Sequence, residues 1–424
     1  MDKKIIIFYF ISIVLLTNGA FVTAQTNGTP LIIWRQLIWF VGLLIVFRYS
    51  YRLKISTKTH LTRKYHKIIA FHRNIAFIVV ILALFTIAVH NFNITRLAFA
   101  FWTYFSGLPF IILPFLIANT KCLSPKAFFA VFFWLGMFLT AGLIADYYTN
   151  GFFTNRYLPS LEGLIANKRY CFLSEAPTTF GVYYCFCAIS GIMYMYYTSK
   201  AIPKALISIG VMSFIAGAWF TGSRQIVGVL VFSIITCYLY YICKEKKSKW
   251  HFLIPLILLL TVGADIKTNL TAEDSYRQRF SAENIEEDTR SKAWEAGIEK
   301  VILSDPSIFL FGEGVAFSQG QKALPNEIVG SHYENTFLAR ISEIGIIAVV
   351  LLLYPIIWMI VNWPKQTLFT FCILMVFLSY LFISYVSPNG SHQTTQMTLY
   401  LLLGLFLNRY YFDLEKTRHI RYNQ

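Results

Sequence analysis

The sequence predicts an all-α, polytopic membrane protein. Its 424 residues are 56% hydrophobic and only 14% charged, and the mean hydropathy is +0.56. A soluble domain of this length typically carries about 25% charged residues. Several apolar runs are about 18 to 22 residues long, which is enough for a helix to cross a bilayer. The sequence lacks the alternating ten-residue strands that are typical of an outer-membrane barrel.

The apolar runs predict about 12 transmembrane helices in one integral membrane domain that covers residues 1–424. The predicted spans are 5–24, 31–47, 75–90, 97–118, 127–147, 179–198, 205–221, 225–243, 251–266, 337–361, 367–386 and 395–408. The first of them, preceded by Lys3 and Lys4 and followed by small residues before Gln25, also resembles a cleavable signal peptide. We favour an uncleaved first helix; cleavage would leave 11 spans with the same topology.

The distribution of lysine and arginine predicts the orientation of these spans. Segment 48–74 holds eight of the basic residues and segment 244–249 holds four, and 23 of the 37 fall on one face of the predicted membrane domain. We expect that face, with both termini, to be cytoplasmic. The net charge of +16 then follows the positive-inside rule, and no nucleic-acid partner is expected. Membrane lipid is an expected partner, because segment 48–74 can lie against anionic headgroups.

Two long segments are predicted to face outward, 148–178 and 267–336. The larger carries 12 acidic and 7 basic residues and is expected to form a partly helical subdomain. Within it, the apolar residues from Trp294 to Ile302 recur at helical spacing, which predicts a helix lying in the outer membrane interface with Trp294 at headgroup depth. Pro306 is expected to end that helix, with a turn from Phe311 onward.

Four outward stretches carry charges beside apolar helices: 167–181, 221–225, 286–314 and 330–346. In the second stretch, Arg224 lies in a short turn between two apolar runs, where a charge is costly without a partner or a wet cavity. Arginine keeps its proton and can bind two phosphate oxygens at once. It is a candidate anion-binding residue; the alternative is a side chain that snorkels to the interface. Arg169 and Arg290 are weaker candidates, and Arg290 can also be an ordinary solvated helix residue.

In the fourth stretch, His332 and Glu334 lie at the outer mouth of a predicted span. An imidazole, or a carboxylate in a partly apolar site, can accept a proton from a sugar hydroxyl. The two residues are therefore candidate catalytic bases. The alternative is a polar helix start with Ser331 or Asn335 as its cap.

Only a few charged residues lie clearly inside the predicted spans: Arg35, Arg340 and Glu343. Arg340 and Glu343 are three residues apart, so we expect them to pair along one helix face as a structural ion pair. Transporters usually carry ionisable or broken-helix sites near the membrane midplane. A transporter of lipid-linked oligosaccharides is therefore a remote alternative, and a membrane scaffold without chemistry is another.

The sequence contains no metal or redox motif. Its seven cysteines are scattered, mostly in or beside apolar runs, and none forms a CxxC pair. Asp305, Glu313 and Glu327 show no recurring ligand spacing. We expect the cysteines to be small apolar core residues and the protein to use no metal and no other cofactor.

In their order along residues 165–350, these features resemble the O-antigen ligase and O-antigen polymerase family of bacterial inner membranes. The resembling residues are Ser223 and Arg224 between two spans, then Arg290, Trp294, Pro306, Gly312 and Gly314 in the large loop, then Asn335, Leu338, Glu343 and Gly345 at the next span. One position differs: the family's ligases have a histidine directly before the asparagine. Here Glu334 holds that position, and His332 lies two residues earlier.

The resemblance implies a metal-independent, inverting glycosyltransferase whose site faces the periplasm and whose donor is a glycan on undecaprenyl diphosphate. A polymerase would transfer the growing chain onto the next lipid-linked repeat unit, whereas a ligase would transfer it onto lipid A–core. We favour the polymerase because of the displaced histidine. A flippase and a chain-length regulator are expected partners.

The resemblance also implies roles for individual residues. Arginines would bind the diphosphate and stabilise the charge of the leaving group. A base would activate the acceptor hydroxyl, and the large loop would exclude water. The residues are Arg224, Arg290 and, as a third choice, Arg169 for the diphosphate; His332 or Glu334 for the base; and Asn335, Trp294 and Glu343 in support.

Overall fold

The described part of the chain is helical throughout. The computed structural model describes residues 4, 6, 7, 10, 11, 78, 81, 108–153, 170, 172, 181–245, 294, 295, 297–303, 305–312, 335–361, 367–386 and 393–413, and no strand occurs among them. The helices are α1 (Leu108–Thr120), α2 (Pro125–Tyr148), α3 (Gly181–Tyr196), α4 (Ala201–Phe220), α5 (Arg224–Glu245), α6 (Pro306–Phe311), α7 (Thr336–Val361), α8 (Leu368–Val386), α9 (Gln393–Leu407) and α10 (Arg409–Phe412). A π-helical turn, Glu299–Leu303, precedes α6.

Four of the described helices are long and apolar enough to cross a membrane: Pro125–Tyr148, Ala201–Phe220, Gln225–Lys244 and Leu368–Val386. Two shorter apolar helices, Gly181–Tyr196 and Thr395–Leu407, coincide with the predicted spans 179–198 and 395–408. The helix α7 coincides with the predicted span 337–361, and α1 covers the second half of 97–118. The helical class is thus confirmed, and the apolar helices indicate a membrane protein.

The remaining predicted spans are 5–24, 31–47, 75–90 and 251–266. They lie outside the described residues apart from isolated positions, so the number of 12 spans stays a prediction. One such position, Phe10, packs its ring against Phe128 and Phe132 of α2, with ring centroids 5.4 and 5.8 Å apart.

The helix α3 lies at the centre of the described bundle. All of its residues except Tyr194 and Tyr196 are buried. It contacts α2, α4, α5, α8 and α9. The helix α3 is therefore surrounded by its neighbours and forms the axis on which they pack.

Glycines allow close approach where the helices cross, as is common in membrane bundles. A Cβ atom added to Gly136 of α2 would lie 2.3 Å from the ring of Phe214 on α4. A Cβ atom added to Gly404 of α9 would lie 2.5 Å from the backbone oxygen of Ile111 on α1. At Gly404 the obstacle is backbone, so the α1–α9 contact leaves no room for a side chain.

Hydrogen bonds close one end of the bundle, where α2, α3, α8 and the chain after α9 meet. Thr367 Oγ1 donates to Asp413 Oδ2 over 2.8 Å, and Tyr411 Oη donates to the Leu123 carbonyl over 2.8 Å. Tyr197 Oη donates to the Phe412 carbonyl. These residues adjoin segments predicted to be cytoplasmic. The other helix ends, which lead to the segments predicted to face outward, are called the outer end below.

We predict that Gly404→Ala destabilises the protein, because its new methyl group must push α1 and α9 apart. Overpacking of this kind costs about 1–3 kcal/mol. The measurement is the thermal unfolding midpoint of the purified protein. Gly228→Ala is the matched control, since a Cβ atom at Gly228 of α5 meets nothing within 4 Å. The packing assignment is wrong if both variants unfold at the same temperature.

Candidate functional site

The last two turns of α8, Tyr380–Val386, lie at the centre of the candidate site and are called the α8 terminus. Gln225 Nε2 donates a hydrogen bond of 3.0 Å to the Val386 carbonyl. The ring of Trp294 packs on the ring of Tyr385 with centroids 5.1 Å apart. The helix α8 also packs against α7, which carries the fourth stretch at its start. The α8 terminus therefore contacts two of the four charged stretches that the sequence singles out, and α8 packs on the helix that carries a third.

The second stretch forms a tight connection between α4 and α5. Thr221 Oγ1 donates to the Ala218 carbonyl over 2.6 Å and accepts from the Ser223 backbone N–H over 3.2 Å. Residues 221–223 are buried, and α5 begins at Arg224. The helix therefore begins within one residue of the predicted span 225–243. Since Gln225 binds the α8 terminus, the backbone of Arg224 lies beside it; the side chain of Arg224 is outside the described atoms.

The first stretch joins the same region through the residues that follow Arg169. The Tyr170 backbone N–H donates to the Phe220 carbonyl over 3.3 Å, at the end of α4. The Tyr147 ring lies 5.5 Å from the Tyr170 ring and 4.6 Å from the Phe220 ring, measured between centroids. Tyr170 is therefore held against Phe220, which precedes Arg224 by four residues in the sequence. Arg169 itself lies outside the described residues.

A buried carboxylate, Asp146, holds both ends of the 148–178 loop. Its Oδ1 accepts the Phe153 backbone N–H over 2.9 Å, and its Oδ2 accepts the Phe172 backbone N–H over 3.2 Å. The Asp146 carbonyl also accepts the Gly151 N–H over 2.7 Å. Sequence reasoning missed this residue. The signal that could have found it is an acidic residue near the end of an otherwise apolar span, where a charge requires partners.

The fourth stretch begins α7 with a capped turn and an ion pair. Asn335 Oδ1 accepts the backbone N–H of Phe337 over 2.8 Å and of Leu338 over 3.1 Å. Arg340 Nη1 donates to Glu343 Oε2 over 2.5 Å, and the two side chains are only 10% and 3% exposed. The spacing predicted the pair, and the cap corresponds to the alternative of a polar helix start, with Asn335 and not Ser331 as the observed cap.

The third stretch contains two short helical pieces separated near Pro306. Residues from Trp294 are helical and end in the π-turn Glu299–Leu303. Asp305 then caps α6, with Oδ1 accepting the Ser307 N–H over 2.8 Å, and Pro306 occupies the first turn. Pro306 therefore separates two helices, as expected, but it also begins the second one. Phe311, predicted to begin a turn, is instead the last residue of α6, because capping by Asp305 and proline at the first turn favour a helix.

A backbone contact between two glycines joins this loop to α7. Gly312 ends α6 with φ +79°, and Gly345 lies at a kink inside α7 with φ +75°. A Cβ atom at Gly345 would lie 2.1 Å from the Leu310 oxygen, and one at Gly312 would lie 2.5 Å from the Ile344 nitrogen. Only glycine fits positions that need both a positive φ and such a close approach. Two glycines of the sequence pattern therefore have a structural explanation.

The structure does not test how the predicted catalytic groups are arranged. His332, Glu334, Arg290 and Arg169 lie outside the described residues. The described residues bring Trp294 and the start of α5 to the α8 terminus, and Tyr170 to the end of α4 just before α5. In that part of the chain, no group of three or more His, Cys, Asp or Glu side chains could hold a metal ion.

Comparison with known proteins assigns no family to the chain. No family model matches it, and no curated protein matches it. The interpretation of the site therefore depends on the residue pattern and on the contacts around the α8 terminus.

We predict that Arg340→Leu and Glu343→Leu each destabilise the protein strongly, because each removes one partner of a buried ion pair. The expected loss is about 3–5 kcal/mol for each single variant. The double variant should be clearly more stable than either single variant, since it removes both charges. Thermal unfolding of the three purified variants checks this. The pairing would be contradicted if the loss of stability in the double variant equalled the sum of the losses in the two single variants.

We predict that Asp146→Asn loosens the 148–178 loop at both of its ends. An amide can accept only one of the two N–H groups and turns a donor toward the other; loss of one hydrogen bond to a charged group costs about 1.5–3 kcal/mol. Hydrogen exchange followed by mass spectrometry should show faster exchange in peptides that contain Phe153 and Phe172. Thr149→Ala, at an exposed position in the same turn, is the control. Unchanged exchange in Asp146→Asn would contradict the clamp.

Proposed function

We propose that the protein is a glycosyltransferase of the bacterial inner membrane that uses a polyprenyl-diphosphate-linked oligosaccharide as its donor. More narrowly, we propose that it is an O-antigen, or surface polysaccharide, polymerase, which transfers the growing glycan onto the next lipid-linked repeat unit. The observation that carries this proposal is the convergence of separate charged stretches at the outer end of the bundle. The α8 terminus contacts the Arg224 turn and the loop helix, and α8 packs against α7.

This convergence supports a diphosphate site built from arginines. Arg224 begins α5 beside the α8 terminus, and a helix N-terminus itself favours anions. In the sequence, Arg290 precedes Trp294 by four residues, and Arg169 directly precedes Tyr170. Trp294 contacts the α8 terminus, and Tyr170 contacts the end of α4 just before the Arg224 turn. Arginines at these three positions are suited to neutralise the additional negative charge that develops on the departing diphosphate.

The proposed base lies next to the start of α7 in the sequence. Glu343 is bound to Arg340, and the oxygen of Asn335 accepts two backbone N–H groups. The proposed bases, His332 and Glu334, precede this cap in the sequence. In the proposed reaction one of them removes the proton of the acceptor hydroxyl. The hydroxyl oxygen bonds to the anomeric carbon, whose bond to the diphosphate oxygen breaks, and the configuration inverts.

We predict that the purified protein in nanodiscs converts synthetic undecaprenyl-diphosphate-linked repeat units into a ladder of longer lipid-linked glycans. The measurement is gel or mass-spectrometric analysis of the products, with lipid A–core added in a parallel reaction. Transfer only to lipid A–core would overturn the polymerase in favour of a ligase. Absence of transfer, together with movement of the donor across liposome membranes, would support a transporter.

We predict that Arg224→Ala and Arg290→Ala each reduce the rate of polymerisation by at least about 100-fold, the usual effect of removing one group that stabilises developing charge. The control is Lys200→Ala, which removes an exposed cation at the opposite end of the bundle and should leave the rate unchanged. Equal thermal unfolding midpoints show that the variants are folded. If folded Arg224→Ala and Arg290→Ala retain full polymerisation, the proposed site is wrong.

A further inference from the structure

The loop segment from Trp294 to Phe311 exposes an unusual number of large apolar side chains. Val301 is fully buried, and beside it five apolar residues are open at the surface. They are Ile298 (41% exposed), Ile302 (38%), Leu303 (72%), Leu310 (39%) and Phe311 (46%). Large apolar side chains exposed in such number along one short segment normally have a partner, either a protein or a lipid phase.

The contact between Gly312 and Gly345 gives the depth of this surface relative to the membrane. Beyond Gly345, residues 346–361 of α7 carry no charged side chain, and at 1.5 Å per residue they rise about 24 Å. This length nearly fills a hydrocarbon core of about 30 Å. Gly345 therefore lies near the outer edge of the core, and the Arg340–Glu343 pair lies just before it. Leu310 and Phe311, which touch Gly345, lie at the same depth.

The apolar surface of the loop also continues into the exposed face of α7. Ile347 and Val350 are 43% and 50% exposed and follow Gly345 directly along the helix. These positions are exposed to lipid in a membrane-spanning helix. Because α6 packs on the same part of α7, its exposed side chains extend this surface outward from the bundle.

The preceding helical piece has two distinct stripes. Glu295 and Glu299 are exposed and four residues apart, so they share one stripe; Ile298 and Ile302 form the neighbouring one. A helix with a charged stripe and an apolar stripe side by side is suited to a membrane interface. The packing of Trp294 on Tyr385 attaches its start to the α8 terminus.

We propose that the segment Trp294–Phe311 is embedded in the outer leaflet of the bilayer, with Ile298, Ile302, Leu303, Leu310 and Phe311 among the lipid acyl chains and Glu295 and Glu299 in water. This segment is thus a part of the membrane domain. This inference concerns the position of the segment and holds independently of the proposed enzymatic activity.

The test uses single cysteine variants of the full chain in lipid nanodiscs, where both membrane faces are open to reagent. Ile302→Cys and Leu310→Cys probe the apolar surface, and Glu295→Cys and Glu299→Cys are controls on the charged stripe. We expect a charged maleimide to label the two control positions at least tenfold faster than the two apolar positions. Labelling of the native protein gives the background, and equal labelling after denaturation in SDS shows that the introduced thiols are reactive.

A second measurement separates lipid from protein as the covering phase. A bimane dye attached at Ile302→Cys or Leu310→Cys should be quenched by lipids that carry a nitroxide on the acyl chain, and dye at Glu299→Cys should be quenched much less. Equal maleimide labelling at all four positions would overturn the proposal, because the surface would then be in water. Protection without quenching by lipid, or cross-linking between Leu310→Cys copies, would also overturn it, because protein would then cover the surface.

Discussion

The arrangement of the outer end depends on one close contact between two stretches of backbone, at Gly312 and Gly345. Both residues have positive φ, and neither position leaves room for a Cβ atom. The contact holds the short helix α6 against the kink of α7 at the edge of the apolar part of the bundle. The large loop is therefore attached to α7 at Gly312. Through Trp294 it is also attached to the α8 terminus. A loop attached at two points limits where its remaining residues can lie.

Charges at this membrane edge fall into two groups with different physical roles. Arg340, Glu343 and Asp146 have hydrogen-bond or ion-pair partners inside the described bundle, as buried charges require. They hold α7 and the 148–178 loop in place. The second group comprises the residues proposed for the reaction, which are the diphosphate-binding arginines and the base. They belong to segments that adjoin these fixed elements. A supporting framework of satisfied charges is what a precise diphosphate site needs, since its arginines must not be drawn into ion pairs with neighbouring carboxylates.

The sequence was sufficient for features that depend on local spacing. Apolar length predicted the helices between 125 and 245 and between 336 and 407, and three-residue spacing predicted the Arg340–Glu343 pair. The Asn335 cap is the alternative that the sequence offered beside a catalytic role for this stretch. Features that depend on distant residues could not be predicted. The kink at Gly345 lies where α6 packs on α7. The Asp146 clamp joins residues 26 positions apart, and the α8 terminus is defined by neighbours that are distant in the sequence, Gln225 and Trp294.

The same framework sets the height at which a lipid-linked donor would be bound. Its polyprenyl chain must stay in the hydrocarbon core, and its diphosphate must therefore lie at headgroup level. Gly345 lies near the edge of that core, and the capped start of α7 is nine residues before it in the sequence. The groups proposed as base directly precede this start, and the Arg224 turn adjoins the α8 terminus on the same end. A donor at headgroup level and an acceptor activated from the start of α7 would then meet without either lipid leaving the bilayer, which is the geometric requirement of a polymerase that joins two membrane-bound substrates.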